Sequence, residues 1–545
     1  MRHASTNDSF APALVTAVLA GIAGVAGSYA LAGYTQGFVV APIAGFLTQA
    51  MPDAVLRFAI VTLTDIGQQF GIDHLGQRAN LLLAITLGTV LFASLVLAAL
   101  VTGRQLDRRF APIGLAGGLV WLATALLTGA PVTALGAGVA SAFVVAVAVL
   151  AVAAGDTTDT DTSVSSGRRE VLGSLASAVG VGVIGYLLGT RSSSTQSAAS
   201  ADTSGNTSAA GDATGNVPGG NSGPTAGDGA NVATVKQYLN EAERRSFDID
   251  GLEGLVSGED FYEVDIQNIN PQVNAADWSL SITGAVENEI ELSYDDITSM
   301  QREFRFATLR CVSDPLNGKK MDNDLWTGVP MQRLLEQANP QGKFVMLRSV
   351  DNYYEEMEVT TLRDGFLTYG KNGGPLPREH GNPVRAVIGG HWGEISVKWL
   401  NEIEVLEGPQ KGFWEKRGWH GTGPVNTVAK LHAVNHLDNG RIQVAGHTYA
   451  GARGIRRVEV STDGGQTWNE AKLTKPLPAG TSRRKEAKSA QNAWQQWKYT
   501  YEPPNGKHQV VVRAVDGTGD LQPKDNKQSP YPNGAAGWVS KTING

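Results

Sequence analysis

The chain has 545 residues, a formal net charge of −7 and a pI of about 5.8, which excludes a basic nucleic-acid-binding protein. Its length allows roughly three or four domains, and its mean hydropathy of −0.12 averages an apolar first third with a polar, tryptophan-rich remainder. The single cysteine, Cys311, excludes an internal disulfide, so this thiol is a packed side chain, a nucleophile or a metal ligand.

Residues 1–190 are predicted to form an all-α membrane anchor. Uncharged apolar runs of about 20 residues, each long enough to cross a bilayer as a helix, occupy 12–33, 79–101, 111–129, 132–154 and 171–189. The run 54–64 carries Arg57 and is weaker, so we predict interfacial helices over 42–78. The sequence therefore indicates about five transmembrane helices.

Arginines in the short loops predict the orientation of these helices. Arg104, Arg108 and Arg109 mark one loop as cytoplasmic, and Arg168 with Arg169 mark the segment before the fifth helix as cytoplasmic. The N-terminus is then inside and all residues after 190 are outside the cell membrane. The segment 166–185 also resembles a twin-arginine export signal, with a plain anchor flanked by positive charge as the alternative.

Residues 191–235 are rich in Ser, Thr, Gly, Ala and Asn, so we predict a disordered linker. The following region, 236–423, is predicted to be an α+β domain. The run 329–338 spaces its apolar residues like one face of a helix. Strand-like runs lie at 279–284, 343–349, 356–360, 384–389 and 395–406.

Several long motifs in this region resemble the molybdenum-cofactor domain of the sulfite oxidase family, over about 258–423. They are FYEVDIQNINPQVNAADWSLSITG, TLRCVSDPLNG, WTGVPMQRLL, NGGPLPREHGNPVRAVIGGHWGEISVKWL and GFWEKRGW. The initial apolar helices are similar to those of the membrane-anchored prokaryotic branch of molybdopterin-dependent oxidoreductases. The resemblance implies a molybdenum-molybdopterin cofactor.

The resemblance also assigns residues to this cofactor. Cys311 is expected to be the thiolate ligand of molybdenum, since a soft thiolate suits a metal in sulfur-rich coordination. His380, Arg385 and Lys398 are expected to bind the pterin phosphate, for which Arg offers a planar donor fork and Lys a point charge. Asn323 is expected at the pocket wall, in contact with the cofactor.

The chain departs from the sulfite-oxidising pattern around the expected metal. Trp419 stands where the family has a tyrosine, the sequence VSDPLNG with Asp314 lacks an expected arginine pair, and Glu263 stands where an arginine is expected. We take Cys311, Trp419 and Asp314 as the candidate catalytic residues. Replacement positive charge could come from the pair Lys319 and Lys320 or from the pair Lys416 and Arg417.

Residues 424–545 contain repeated short strands that predict an immunoglobulin-like β-sandwich. The motifs YAGARGIRRVEVSTDGGQTWNEAKL, WQQWKYTY and VVVRAVDGTGDLQP resemble the dimerisation domain of sulfite oxidases, which implies a homodimer, with a monomer as the alternative. The tryptophans of this region are expected in the core or at a domain interface. Asp463, followed by two glycines, is expected in a turn.

The sequence lacks a CxxCH motif, a cysteine cluster and a dinucleotide fingerprint, so electrons are expected to pass to a separate external electron-transfer protein or a quinone-linked subunit. The leading hypothesis is an externally facing oxidoreductase that transfers an oxygen atom to or from a small oxyanion. A reductase of S-oxides, N-oxides or nitrate is the alternative enzyme. A non-catalytic surface adhesion protein is the alternative from another class.

Overall fold

The structure, a computed structural model, describes residues 10–70, 75–106, 110–155, 166–201, 228–480, 490, 492–524 and 530–545. It divides into a helical unit, residues 1–218 with 265–271, and a second, β-rich unit, residues 219–264 with 272–545. The predicted cytoplasmic residues Arg108 and Arg109 lie outside the described residues, as do 202–227 of the predicted linker.

Seven helices of the first unit lie within the described residues: α1 (Phe10–Ala32), α2 (Val40–Ala50), α3 (Asp53–Phe70), α4 (Leu75–Gln105), α5 (Ala111–Thr128), α6 (Pro131–Gly155) and α7 (Ser166–Ala201). Five of them are long and apolar enough to cross a membrane, which confirms the predicted number of apolar helices. Small residues allow close approach of the backbones: a Cβ at Gly27 of α1 would overlap the carbonyl of Gly136 in α6.

The short segment 265–271 packs within the helical unit. Ile269 is 1% exposed and belongs to the apolar core of that unit. The Tyr34 hydroxyl donates to the carbonyl of Asn268 at 3.1 Å, and the Gln77 amide donates to the carbonyl of Asp265 at 3.3 Å. The segment therefore lies beside the end of α1 and the beginning of α4.

Helices extend into the two edges of the predicted linker. Helix α7 continues to Ala201, and helix α8 (Asp228–Arg245) begins before residue 235. Both edges contain alanine, which favours continuation of a helix once it has formed. The disordered linker predicted over 191–235 therefore overlaps helix at 191–201 and 228–235.

The central part of the second unit contains ten strands and three short helices in its described residues. The strands are β1 (Ser279–Gly284), β2 (Ile290–Ser293), β3 (Glu303–Arg310), β4 (Met321–Pro330), β5 (Phe344–Ser349), β6 (Tyr354–Glu358), β7 (Phe366–Lys371), β8 (Gly374–Pro375), β9 (Arg385–Val387) and β10 (Leu400–Leu406). The helices are α9 (Tyr294–Ser299), α10 (Met331–Ala338) and α11 (Val359–Arg363).

These strands form two sheets that position the candidate site. One sheet has the order β2-β1-β10-β5-β6, in which β1 and β10 are parallel. The other has the order β3-β4-β7-β8, with β9 paired to β7. Helix α10 buries Met331, Leu334, Leu335 and Ala338 in the apolar core, as its sequence spacing predicts, and ends at Asn339 in a left-handed conformation.

The C-terminal part contains two antiparallel sheets. Its strands are β11 (Val428–Ala429), β12 (Ala433–His436), β13 (Ile442–Tyr449), β14 (Ile455–Ser461), β15 (Asn469–Glu470), β16 (Lys472–Leu473), β17 (Gln495–Tyr501), β18 (Lys507–Asp516) and β19 (Val539–Asn544). One sheet has the order β11-β13-β17-β16 with β12 beside β13, and the other β15-β14-β18-β19. Trp494 and Trp497 are buried, and Asp463 accepts main-chain hydrogen bonds from Gln466 and Thr467 in a turn, as predicted.

Candidate active site

Cys311 lies in the loop that joins β3 to β4. The two strands pair as a hairpin that ends at Arg310 opposite Met321. The main-chain N–H of Cys311 donates to the carbonyl of Lys320 at 3.0 Å, and its Sγ lies 3.1 Å from the Ser313 hydroxyl. Burial raises the pKa of the Cys311 thiol, although Lys320 and Ser313 act in the opposite direction. A metal would therefore have to displace the thiol proton on binding.

The chemistry of the donor set fits a metal that is held mainly by an organic cofactor. Among the residues that the structure describes, no group of three or more His, Cys, Asp or Glu side chains could hold a metal ion. A metal on Cys311 would take its remaining ligands from a cofactor or from solvent. This arrangement suits a sulfur-rich cofactor complex that uses a single protein thiolate.

The loop after Cys311 is fixed by a buried ion triad. The Asp314 carboxylate lies 2.6 Å from Lys430 Nζ and 3.2 Å from Arg310 Nε, and all three side chains are 0% exposed. The other oxygen accepts the main-chain N–H of Lys320 at 3.0 Å. Burial acts to raise the pKa of Asp314, but Lys430 and Arg310 outweigh it and hold that pKa below its ordinary value.

Both oxygens of Asp314 are thus occupied within the protein. This geometry favours a role in positioning the Cys311 loop over the catalytic role that the sequence suggested. Lys430 also donates to the carbonyl of Gly318 at 2.7 Å, so it ties the triad to the middle of the same loop.

An aromatic group surrounds Phe261. Phe261 stacks on Tyr262 with ring centroids 5.5 Å apart, and its ring meets the edges of Trp326 at 5.5 Å and His380 at 5.4 Å. These contacts connect the segment before 265 to strand β4 and to the residues around His380.

Tyr262 lies near the beginning of the Cys311 loop. A Cβ at Gly393 would stand 2.7 Å from the Tyr262 hydroxyl and 3.3 Å from the carbonyl of Arg310, the residue before Cys311. Burial raises the pKa of Tyr262 well above its ordinary value, a thiolate at Cys311 raises it further, and Arg385 opposes this. The hydroxyl is therefore protonated at neutral pH and available as a donor at this position.

Gly381 brings the three predicted phosphate ligands together. It has φ +105°, and a Cβ at this position would lie 2.9 Å from Lys398 Cβ and 3.1 Å from Arg385 Cβ. His380 immediately precedes it. Only glycine allows this approach without strain, so the backbone draws His380, Arg385 and Lys398 into one cluster.

The cluster is electropositive. Burial, together with the charges of Lys371, Arg385 and Lys398, lowers the pKa of His380 to about 2. Arg385 is 5% exposed and donates to the main-chain carbonyls of His380 and Ser396, and the half-buried Lys398 donates to that of Glu379. A neutral imidazole beside buried cations suits an anionic group such as a phosphate.

Asn323 has both ends of its amide occupied. Its Oδ1 accepts from the Thr308 hydroxyl at 3.0 Å, and its Nδ2 donates to the carbonyl of Leu255 at 2.8 Å. The residue is 0% exposed. These contacts favour a place in the wall behind the site over direct binding of a cofactor.

Trp419 is buried against a residue from the C-terminal part of the chain. It is 2% exposed, and its ring meets Tyr531 edge-on at 5.1 Å. The next residue, His420, donates its main-chain N–H to the carbonyl of Pro532 at 3.0 Å. An indole offers a donor at this position but no ionisable hydroxyl.

The charges near the thiol differ from those that the sequence suggested. The charge of Lys320, whose Nζ is 3.4 Å from the Ser313 hydroxyl, acts to lower the pKa of Cys311. Lys319 is exposed, and Lys416 contacts the Tyr354 hydroxyl. Burial lowers the pKa of Arg378, and the charges of Glu379 and Glu263 oppose this. The positive charge of Arg378 therefore offsets that of Glu263.

Sequence reasoning missed Tyr262 and Arg378 as members of the site. Tyr262 stands in the quoted motif FYEVD, two residues after Asp260, so the motif itself was the available signal. Arg378 stands two residues before His380 in a quoted motif. Its relation to Glu263 depends on the fold and has no local signal.

Two family models match the part of the chain that contains the candidate site. The model of the oxidoreductase molybdopterin binding domain matches residues 267–414, and that of the Mo-co oxidoreductase dimerisation domain matches residues 424–531.

The chain is similar to curated enzymes with molybdenum domains. It is 27% identical over 304 residues to sulfite oxidase of Arabidopsis thaliana, covering 46% of this chain and 77% of the relative. It is 31% identical over 305 residues to mitochondrial sulfite oxidase of Macaca fascicularis, and this match spans only 54% of that relative. It is 27% identical over 271 residues to nitrate reductase [NADH] 2 of Phaseolus vulgaris, covering 38% of this chain and 30% of the relative.

Among solved structures, the sulfane dehydrogenase SoxCD from Paracoccus pantotrophus matches with a TM-score of 0.46 and 21% identity. The match covers 54% of this chain and 82% of that one.

Proposed function

We propose that this chain, a molybdenum-cofactor oxidoreductase that carries the molybdopterin-binding and dimerisation domains of the sulfite oxidase family, transfers an oxygen atom in a two-electron reaction on a small oxyanion. The observation that carries the proposal is the close approach of His380, Arg385 and Lys398 at Gly381. Phe261 contacts His380, and its neighbour Tyr262 approaches Gly393 beside the carbonyl of Arg310, so this segment links the candidate phosphate site to the loop of Cys311. The alternative of a non-catalytic adhesion protein gives no reason for that arrangement.

The residues present fit the molybdenum-molybdopterin cofactor. Cys311 would supply the thiolate, and His380, Arg385 and Lys398 would bind the terminal phosphate. When bound, the cofactor supplies the two-electron redox chemistry, and the protein supplies orientation and charge. The Asp314 triad would keep the Cys311 loop in place during binding.

The reaction site would lie between Tyr262 and Trp419. Tyr262 would donate a hydrogen bond from its protonated hydroxyl to an oxygen of the substrate. Lys320 would place one positive charge near the thiol, and Trp419 would exclude water as a pocket wall. The charge of Arg378 offsets that of Glu263, so Glu263 repels an anion less than its sequence position suggests.

A reductase of S-oxides, N-oxides or nitrate is the second candidate. The match to a nitrate reductase keeps it open. The described charges near Cys311 include the mobile ammonium of Lys320 but not the arginine pair that the sulfite-oxidising pattern contains. A neutral oxide or a singly charged anion would need less positive charge than sulfite.

We further propose that the chain is a multi-pass protein of the cell membrane in the prokaryotic, membrane-anchored branch of the family, with its catalytic part outside. Five apolar helices support the insertion. The segment 265–271 contacts Tyr34 and Gln77, at the ends of α1 and α4 that the arginine rule places outside.

The proposed assembly keeps the domains of the sequence prediction, with the molybdopterin domain at 236–423 and the C-terminal domain at 424–545. The two antiparallel sheets at the C-terminus support an immunoglobulin-like sandwich. The dimerisation-domain match supports a homodimer. Electrons would pass to or from a separate external carrier protein or a quinone-linked subunit.

Steady-state assays in both directions test the proposed activity. The full chain would be expressed in a host that makes molybdopterin and purified in detergent micelles, and its molybdenum content would be measured on the same sample. We expect stoichiometric molybdenum and sulfite-dependent reduction of an acceptor dye. Turnover of an S-oxide, an N-oxide or nitrate with a reduced dye, without sulfite oxidation, would select the reductase. Protein with neither molybdenum nor pterin would refute both enzymes, and Cys311→Ser is the matched inactive control.

A further inference from the structure

Three glutamate side chains from separate elements converge below the segment that carries Trp419. Glu355 belongs to β6, Glu394 to a short 3₁₀ helix after Trp392, and Glu415 to another one at Glu415–Arg417. Glu355 is 0% exposed and Glu394 is 9% exposed. The carboxylates of Glu355 and Glu394 both lie within hydrogen-bonding reach of the Glu415 carboxylate.

The cluster leaves buried oxygens without donors. Oε2 of Glu355 and both carboxylate oxygens of Glu394 and of Glu415 make no hydrogen bond of ordinary geometry with the described residues. Glu355 Oε1 accepts from the main-chain N–H of Trp414 at 2.9 Å and from the Tyr353 hydroxyl at 3.2 Å. Carboxyl groups this close and this buried satisfy one another only if they share protons.

Further titratable groups surround the cluster. Tyr353, directly before β6, and Glu356 in β6 lie beside the cluster, and burial raises the pKa of both. Two cations also lie near it: Lys416 Nζ is 3.0 Å from the Tyr354 hydroxyl, and Arg417 donates to the carbonyl of Phe413 at 2.8 Å.

Burial and the neighbouring carboxylates raise the pKa of Glu355 and of Glu394 well above the ordinary value. Burial is the larger cause for each, and the Glu415 carboxylate adds to it. Both carboxyl groups are therefore harder to ionise than an exposed glutamate.

The cluster is connected to the candidate active site on two sides. Gly393, directly before Glu394, packs against the Tyr262 hydroxyl and the carbonyl of Arg310. A Cβ at Gly421 would overlap the Glu394 carboxylate, so the backbone just after Trp419 rests on that group. Movement at Glu394 or Glu415 would therefore displace the surroundings of Tyr262 on one side and of Trp419 on the other.

We propose that Glu355 and Glu394 are positioning residues that hold segment 415–421, and with it the pocket wall at Trp419, through protons shared with Glu415. Loss of these protons in alkaline solution leaves like charges in contact, and the segment separates from β6 and from Gly393. The inference rests on the proposed function only in taking Trp419 as part of the reaction site. The predicted movement of the segment does not require turnover.

Hydrogen exchange of the full chain in detergent micelles tests the proposal. The amides of residues 414–421 are followed from pH 6 to pH 10, with each rate divided by the intrinsic rate at that pH. We expect wild-type protection to fall by up to about tenfold per pH unit for each proton released. Glu355→Gln and Glu394→Gln keep a neutral polar group, so their protection should depend less on pH.

Glu394→Ala removes the carboxyl group and with it the proposed shared proton, so we expect low protection at every pH and rescue by Glu394→Gln. Glu358→Gln is the matched control, because Glu358 is an exposed residue on β6, the strand of Glu355, and its protection should follow that of the wild type. In the active enzyme, Glu394→Gln should shift the alkaline decrease of kcat to higher pH.

Unchanged pH dependence of protection in both glutamine variants would overturn the proposal. So would saturable protection of wild-type protein by added Ca²⁺ or Mg²⁺ at pH 9, because the carboxylates would then be ionised around a cation. Failure of the proposed function has a different signature, since absent molybdenum or absent turnover leaves the exchange measurements valid.

Discussion

Replacement of Asp314 by asparagine tests whether this residue reacts or holds the Cys311 loop. Asp314→Asn keeps the shape of the side chain but leaves Arg310 and Lys430, both 0% exposed, as adjacent buried cations. Breaking a buried ion pair by removing one partner costs about 3–5 kcal/mol. At 1.36 kcal/mol per factor of ten, the opening equilibrium of the loop would rise about 10²- to 10⁴-fold.

The measurement is hydrogen exchange at the amides of Cys311, Asp314 and Lys320, whose acceptors belong to this loop. Exchange there reports local opening and does not require the whole multidomain chain to unfold in one step. Lys430→Met should cost less, because the Asp314–Arg310 pair remains. The double variant Asp314→Asn/Lys430→Met should recover part of the lost protection, since one buried cation is gone.

A matched control is Arg348→Met, which removes a partly exposed ion pair with Glu404 and should change protection of the Cys311 loop by less than about twofold. The pH dependence has a defined sign. The pKa of Asp314 is lowered in the fold, so its contribution is present above the unfolded value near ~4 and is lost as pH falls through the folded value. Native-like protection in Asp314→Asn together with abolished turnover would refute the positioning role and restore the catalytic one.

Three further predictions concern the cofactor and pH. Cys311→Ser should lose molybdenum, measured by elemental analysis, with an unchanged circular dichroism spectrum, and full metal content would contradict the ligand assignment. Gly381→Ala should lower the pterin content severalfold, because the added Cβ would press on Lys398. Gly408→Ala is the control, since its Cβ would meet nothing within 4 Å, and it should leave the pterin content unchanged. Equal pterin contents in the two variants would refute the phosphate site. Burial and Glu253 raise the pKa of Asp322 to about 8, so its stabilising contribution is complete below about pH 4 and is lost as pH rises through 8. Asp322→Asn should therefore melt above the wild type at pH 8 with little difference at pH 4, and parallel melting curves across pH would contradict this.

The elements that sequence reasoning located are those with a local signal. The apolar helices follow from length and hydropathy, and α10 follows from the spacing of its buried residues. Strand β4 was not predicted, because MDNDLW contains three polar residues in a strand whose ten residues are all buried. Asp322, Asn323 and Asp324 are satisfied there by Tyr262, Thr308 and Lys371, partners that only the fold brings near.

Within the site, too, residues with a local sequence signal were identified, and roles that depend on distant contacts were not. Motifs in one stretch of chain identified His380, Arg385 and Lys398, and the structure brings them together at Gly381. The roles suggested for Asn323 and Asp314 depended on which partners their side chains would find. Asp314 meets Lys430, 116 residues away in the chain, and no local pattern encodes that contact.

The C-terminal part completes the loop that carries Cys311, whatever its role in association. Arg310 donates to the carbonyl of Asn426 at 3.2 Å, and Lys430 closes the ion triad. Tyr449 donates to the carbonyl of Thr308 and accepts from the main-chain N–H of Gly390, so one hydroxyl ties the β3 strand to the turn before Trp392. Burial of two cations and one carboxylate is costly, and well-packed apolar residues would often serve stability equally well. The arrangement is therefore better explained by the need to fix the thiol than by stability alone, and this need accounts for the C-terminal part accompanying the molybdopterin-binding domain even if the chain acts as a monomer.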